Sequence, residues 1–134
     1  NVSWRSFDKR WRRLRLRALL EHLDEKRLLA ELLRKSAVDD FEAVVAVRML
    51  RDAGRSRDAI TQAEQWIRAL PRSSVLADAL FDLYSEDGWD EEALALAVTH
   101  YGYDPNPAWI DKLGRLSLPA AKAQIKAWKK QLAA

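Results

Sequence analysis

Apolar residues along this chain recur at spacings of three and four, with polar residues filling the opposite sides, which is the period of amphipathic helices throughout. Phe7, Trp11, Leu14, Ala18 and Leu19 predict a helix from Trp4 to His22. Asp24 is a candidate cap for a second helix reaching about Lys35, with Leu28, Leu29, Leu32 and Leu33 on its apolar face. After a break at Ser36 to Asp40, Asp39 or Asp40 opens a helix to about Ala53, carrying Val44, Val45, Val47 and Leu50, and Gly54 supplies the positive φ that ends it. Ser56 is expected to cap the next helix, which carries Ala59, Ile60, Ala63, Trp66 and Ile67 and stops before Pro71. Ser73 or Ser74 caps a helix with Leu76, Ala79, Leu80, Leu83 and Tyr84, and Asp90 begins another with Ala93, Leu94, Ala97 and Tyr101. A short helix over 107–116 and a last one from Pro119 to about Leu132, with Ala123, Ile125, Ala127, Trp128 and Leu132 apolar, complete an all-α chain without a convincing strand.

One segment is written twice. Leu50 and Tyr84, Gly54 and Gly88, Ala59 and Ala93, Ala63 and Ala97, and Pro71 and Pro105 all stand 34 residues apart. A fixed period of this length marks stacked helical repeats. With a large residue late in the first helix, glycine at the turn, alanine early in the second helix and proline after it, the segment 41–105 resembles the tetratricopeptide repeat. It departs from that pattern in the order of sizes late in the second helix, Ala63 before Trp66 and Ala97 before His100, and in lacking the tryptophan- or glycine-containing signature early in the first. The resemblance covers about half the chain and implies a tetratricopeptide-like α-solenoid of about eight helices in four hairpins. The expected layout is a single domain over 1–134: a basic hairpin over 4–36, repeats over 40–71 and 74–105, and a capping hairpin over 107–133. The end hairpins are read as degenerate because steps of 34 from Gly54 and Gly88 land on Leu20 and Lys122, inside predicted helices.

The net charge of +3 conceals a polarity along the chain. Arg5, Lys9, Arg10, Arg12, Arg13, Arg15 and Arg17 oppose only Asp8 at the start. Nine acids and no Lys or Arg lie between Ser73 and Asp111, and the last fifteen residues hold Lys122, Lys126, Lys129 and Lys130 and no acid. There is no cysteine, so disulfides and thiolate chemistry are excluded, consistent with an expected cytoplasmic location, the cytoplasmic face of a membrane being the alternative. No apolar run reaches the length of a membrane span and no signal peptide is visible.

Catalytic motifs are missing: no glycine-rich phosphate loop, no His-x-x-x-His, and His22 and His100 in different hairpins. His100 reads as a hydrogen-bonded core or boundary residue, and Asp90, Glu91 and Glu92 as acids that suit a helix N-terminus. No catalytic residue, metal or cofactor is expected. The function expected is a non-catalytic protein–protein interaction module, part of a larger protein or assembly.

The family resemblance implies that the first helix of each repeat presents the binding face. Its contact positions fall on Val44, Arg48, Arg51 and Asp52, then on Asp78, Asp82, Ser85 and Glu86. An acidic stripe of this kind suits a basic peptide or helix, and Asp82→Lys is expected to weaken that binding while sparing the fold. The bland alternative is that Arg48 and Asp82 pair with each other between repeats. The other functional reading gives the basic N-terminal helix to nucleic acid or to an anionic membrane surface, its arginines interleaved with Trp4, Phe7 and Trp11, with nucleic acid the less favoured of the two. Self-association, a basic end docked on an acidic middle, is the third.

Overall fold

The computed structural model describes residues 25–133. The predicted helix over Trp4 to His22 and the cap at Asp24 lie outside them. Seven helices are described: α1 (Glu25–Arg34), α2 (Asp40–Asp52), α3 (Ser56–Ala69), α4 (Ser74–Glu86), α5 (Asp90–Tyr103), α6 (Ala108–Leu113) and α7 (Pro119–Ala133). The described chain is all-α with antiparallel packing of neighbours: α2 against α3, α4 against α5 and α6 against α7. Between hairpins, α1 packs on α2, both α2 and α3 pack on α4, and α5 packs on α6. Helix α4 is therefore the central element, and it buries Leu76, Ala77, Ala79, Leu80, Phe81, Leu83 and Tyr84.

The ends of the helices follow from local chemistry. At the start of α2 the Asp39 carboxylate accepts from the Glu42 N–H at 2.8 Å, and the Glu42 side chain accepts from the Asp39 N–H at 3.2 Å, so two otherwise orphaned donors are satisfied reciprocally. The Ser73 hydroxyl accepts from the Leu76 N–H at the start of α4. Helices α2 and α4 end alike. Gly54 and Gly88 both take φ +78°, the left-handed region that costs an L side chain energy. The next residue then bonds back to the helix, Arg55 N–H to Leu50 O at 2.9 Å and Trp89 N–H to Tyr84 O at 2.7 Å. In the second turn the Trp89 ring also stacks on Tyr84, with centroids 6.0 Å apart.

Two details of the sequence reading change. Ser56 does not cap α3: Arg55 holds the cap position and its side chain makes no capping bond, because the Gly54 turn carries the chain straight into the helix at Ser56. On α7 the buried residues are Ala121 and Trp128, while Ala123, Ala127 and Leu132 are exposed. Burial there is set by Trp128 stacking on Tyr101, with centroids 4.0 Å apart, which rotates the stripe onto positions 121, 125 and 128.

Small residues sit where the hairpins close. Ala59, Ala63, Ala93 and Ala97 are completely buried, and each leaves room for the large residues of the facing helix. Among the described residues no helix is long and apolar enough to cross a membrane.

Candidate functional site

Helices α2, α4 and α6 form the walls of an open groove of about 370 Å³. Phe41, Val44 and Arg48 come from α2, Ser74, Val75 and Asp78 from α4, and Ala108, Trp109 and Lys112 from α6. Phe41, Val75 and Trp109 are 34 residues apart, as are Val44, Asp78 and Lys112. Equivalent positions on three helices therefore meet in one recess. Val75 is 49% exposed, an apolar side chain left open at the rim.

The expected site residues divide between the groove and its surroundings. Val44, Arg48 and Asp78 line it; Arg51, Asp82, Ser85 and Glu86 do not. The Arg48–Asp82 pair of the alternative reading is not formed. Arg51 instead reaches Glu86 on the neighbouring hairpin at 3.7 Å and Asp52 at 3.3 Å, and the Ser85 hydroxyl donates to its own helix at Asp82 O. Arg48 is exposed and makes no ion pair among the described residues.

Asp82 is not free to pair with Arg48 because α6 and the turn after it deliver two cations to the acidic stripe. The Lys112 ammonium pairs with Asp78 and, at 3.3 Å, with Asp82, and Arg115 reaches the same Asp82 oxygen at 3.2 Å. The Lys112 side chain is only 12% exposed. Its ammonium also lies 5.1 Å from the Phe81 ring centroid and 5.7 Å from that of Trp109, where the ring faces attract a cation. The stripe read as open to a basic partner thus already carries two internal counter-ions. Asp82→Lys would set a third cation against Lys112 and Arg115, so a cost to the fold is expected beside any effect on binding. Lys112 and Arg115 were missed by the sequence reading, although one more step of 34 from Asp78 lands on Lys112.

Arg5, Lys9, Arg10, Arg12, Arg13, Arg15 and Arg17 lie outside the described residues. Among those described, no group of three or more His, Asp or Glu side chains could hold a metal ion.

His100 is 5% exposed, between the rings of Tyr103 and Trp109. It makes no side-chain hydrogen bond among the described residues, contrary to expectation, and aromatic packing holds it instead. Burial pushes its imidazole below the ordinary value of about 6.5. As pH falls, the unfolded chain therefore takes up the proton first. The stability associated with neutral His100 is full above the ordinary value and is lost as pH falls from there through the lower folded value. Denaturant midpoints measured between about pH 7 and pH 5 should fall with pH, and His100→Gln should flatten that slope. The Tyr84 phenol is pushed above its ordinary range by burial and by its 2.8 Å hydrogen bond to Glu64.

No family model, curated protein or solved structure matches the chain.

Proposed function

We propose that this chain is a tetratricopeptide-like array serving as a non-catalytic protein-interaction module within a larger protein or assembly, and that the groove between α2, α4 and α6 seats an apolar side chain of its partner. The array reading is supported by the shared 34-residue offsets and by the matching glycine turns at Gly54 and Gly88. The observation that carries the binding reading is the meeting of Phe41, Val75 and Trp109, equivalent positions on three helices, around one open recess. Grooves that bind peptides are largely apolar with a few polar groups at the edge.

The charge of the face points away from a strongly basic partner. Asp78 and Asp82 already hold Lys112 and Arg115, whereas Arg48 at the rim has no counter-ion among the described residues. The partner segment that fits carries an aliphatic or aromatic anchor with a carboxylate close to it, placed for Arg48.

Selection of a random peptide library displayed on phage against the full chain tests this. Enriched peptides should share an apolar anchor next to an acid, and Arg48→Glu should weaken them by about tenfold, the scale of one charge-assisted contact. Failure to enrich any peptide, or enrichment of peptides indifferent to Arg48→Glu, would overturn the reading.

A further inference from the structure

A second recess, of about 410 Å³, lies on the other side of α4, between α3 and α5. Leu80, Ile67 and Leu96 give it an apolar lining, and Glu64 and Glu92 stand in its wall. Neither carboxylate has a cation partner among the described residues; Glu64 accepts only from the Tyr84 hydroxyl. Arg68 is the one cation lining this recess.

His100 supplies the independent observation. It lines the same recess at 5% exposure, and its ring nitrogens bond no described residue. Yet no buried polar side-chain atom among the described residues is both fully enclosed and without a partner. The unbonded imidazole nitrogens are therefore not fully enclosed, and the residue that carries them lines the recess. An unmet polar group at the edge of an apolar recess is a feature that a ligand satisfies.

The same chain carries a complementary surface. On α7, Lys122, Lys126 and Lys129 follow one another at spacings of four and three and so share one helical face. All three are exposed and none meets a carboxylate among the described residues. One turn beyond Lys129, Leu132 is 54% exposed. Ala121 and Trp128, on an adjoining side of the helix, are fixed in the core, so the lysine face is held outward. Cations one helical turn from an exposed leucine match carboxylates beside an apolar recess.

We propose that a second copy of this chain docks the exposed lysine face of α7 into the α3–α5 recess, with Leu132 against Ile67 and Leu96, the lysine ammonium groups against Glu64 and Glu92, and His100 accepting from one of them. Each copy carries both halves of the contact.

Sedimentation equilibrium of the full chain at low and high salt tests the pairing. At low salt the mean mass should rise with concentration, and salt should suppress the rise. Lys126→Glu combined with Lys129→Glu should weaken association by about tenfold or more, since each reversal replaces an attraction by a repulsion. Glu92→Lys, at an exposed position, should do the same. So should Thr99→Trp, which fills the recess from an exposed position without altering a charge. In a mixture of the lysine-reversed chain with Glu92→Lys, the native lysine face of the second meets the native recess of the first, so association should recover as a one-to-one complex although neither variant associates with itself. A monomer at every concentration in low salt would overturn the proposal. So would association that ignores the lysine reversals. Sensitivity to those reversals but not to Glu92→Lys or Thr99→Trp would overturn the assignment of the recess.

Discussion

Replacing Phe81 by alanine is expected to lower the free energy of unfolding by about 3–5 kcal/mol, the range for emptying a buried phenylalanine site. Phe81 is completely buried in α4, the helix that touches α2, α3 and α5. Its ring meets Trp109 of α6 edge-on, with centroids 5.9 Å apart, and lies under the Lys112 ammonium. The truncation therefore removes core volume, loosens the docking of α6 and takes away one of the two aromatic faces near Lys112. Because α4 is shared by the neighbouring hairpins, the loss should be global: the urea midpoint falls while the slope of the transition stays the same. A shift worth less than about 1 kcal/mol would show that α4 is not the centre of the cooperative unit.

Trp128→Ala should act differently, although the side chain is as large. Trp128 is 4% exposed and stacks on Tyr101 with centroids 4.0 Å apart, but it belongs to α7, the last described helix, which packs chiefly on α6. A terminal helix can separate while the remainder stays folded, so the cost to the whole cannot exceed the free energy of detaching that helix. The nominal penalty for emptying such a site is again about 3–5 kcal/mol. It should appear mainly as lost hydrogen-exchange protection over residues 119–133, with protection in α2 to α5 nearly intact. Uniform loss of protection, or none at all, would contradict this division of the fold.

Much of the local structure was legible in the sequence because it depends on neighbouring residues. Gly54 and Gly88 announced their turns, since positive φ is a property of the residue itself. The caps were legible to within one residue for a similar reason, the first member of each pair, Asp39 of Asp39/Asp40 and Ser73 of Ser73/Ser74, being the one that caps. Ser56 misled because a glycine turn can hand the chain to the next helix without a side-chain cap. The face of α7 misled because alanine and leucine look apolar wherever they stand, and only the Tyr101–Trp128 stack decides which way they turn.

The groove was half legible. Val44, Arg48 and Asp78 were marked by what the resemblance to the tetratricopeptide repeat implies, and all three line it. Their charge environment was not, because Lys112 and Arg115 reach Asp82 from 30 and 33 residues away. That contact depends on how α6 lies across α4, which no local pattern encodes. The period holds a clue in the step of 34 from Asp78 to Lys112, but the glycine landmark does not recur with it, since 34 beyond Gly88 lies inside α7.

If the apolar recess rather than the acidic stripe is the binding element, two substitutions separate them. Val75 is exposed at the rim, so Val75→Asp alters the recess with little demand on the core; Asp82→Asn removes charge from the stripe while keeping its shape. The affinity of one enriched peptide for the wild-type chain and for each variant, measured by calorimetry, is the direct comparison. The expected result is a loss of tenfold or more, about 1.4 kcal/mol, for Val75→Asp and a change within about twofold for Asp82→Asn. Binding that survives Val75→Asp and collapses with Asp82→Asn would contradict it.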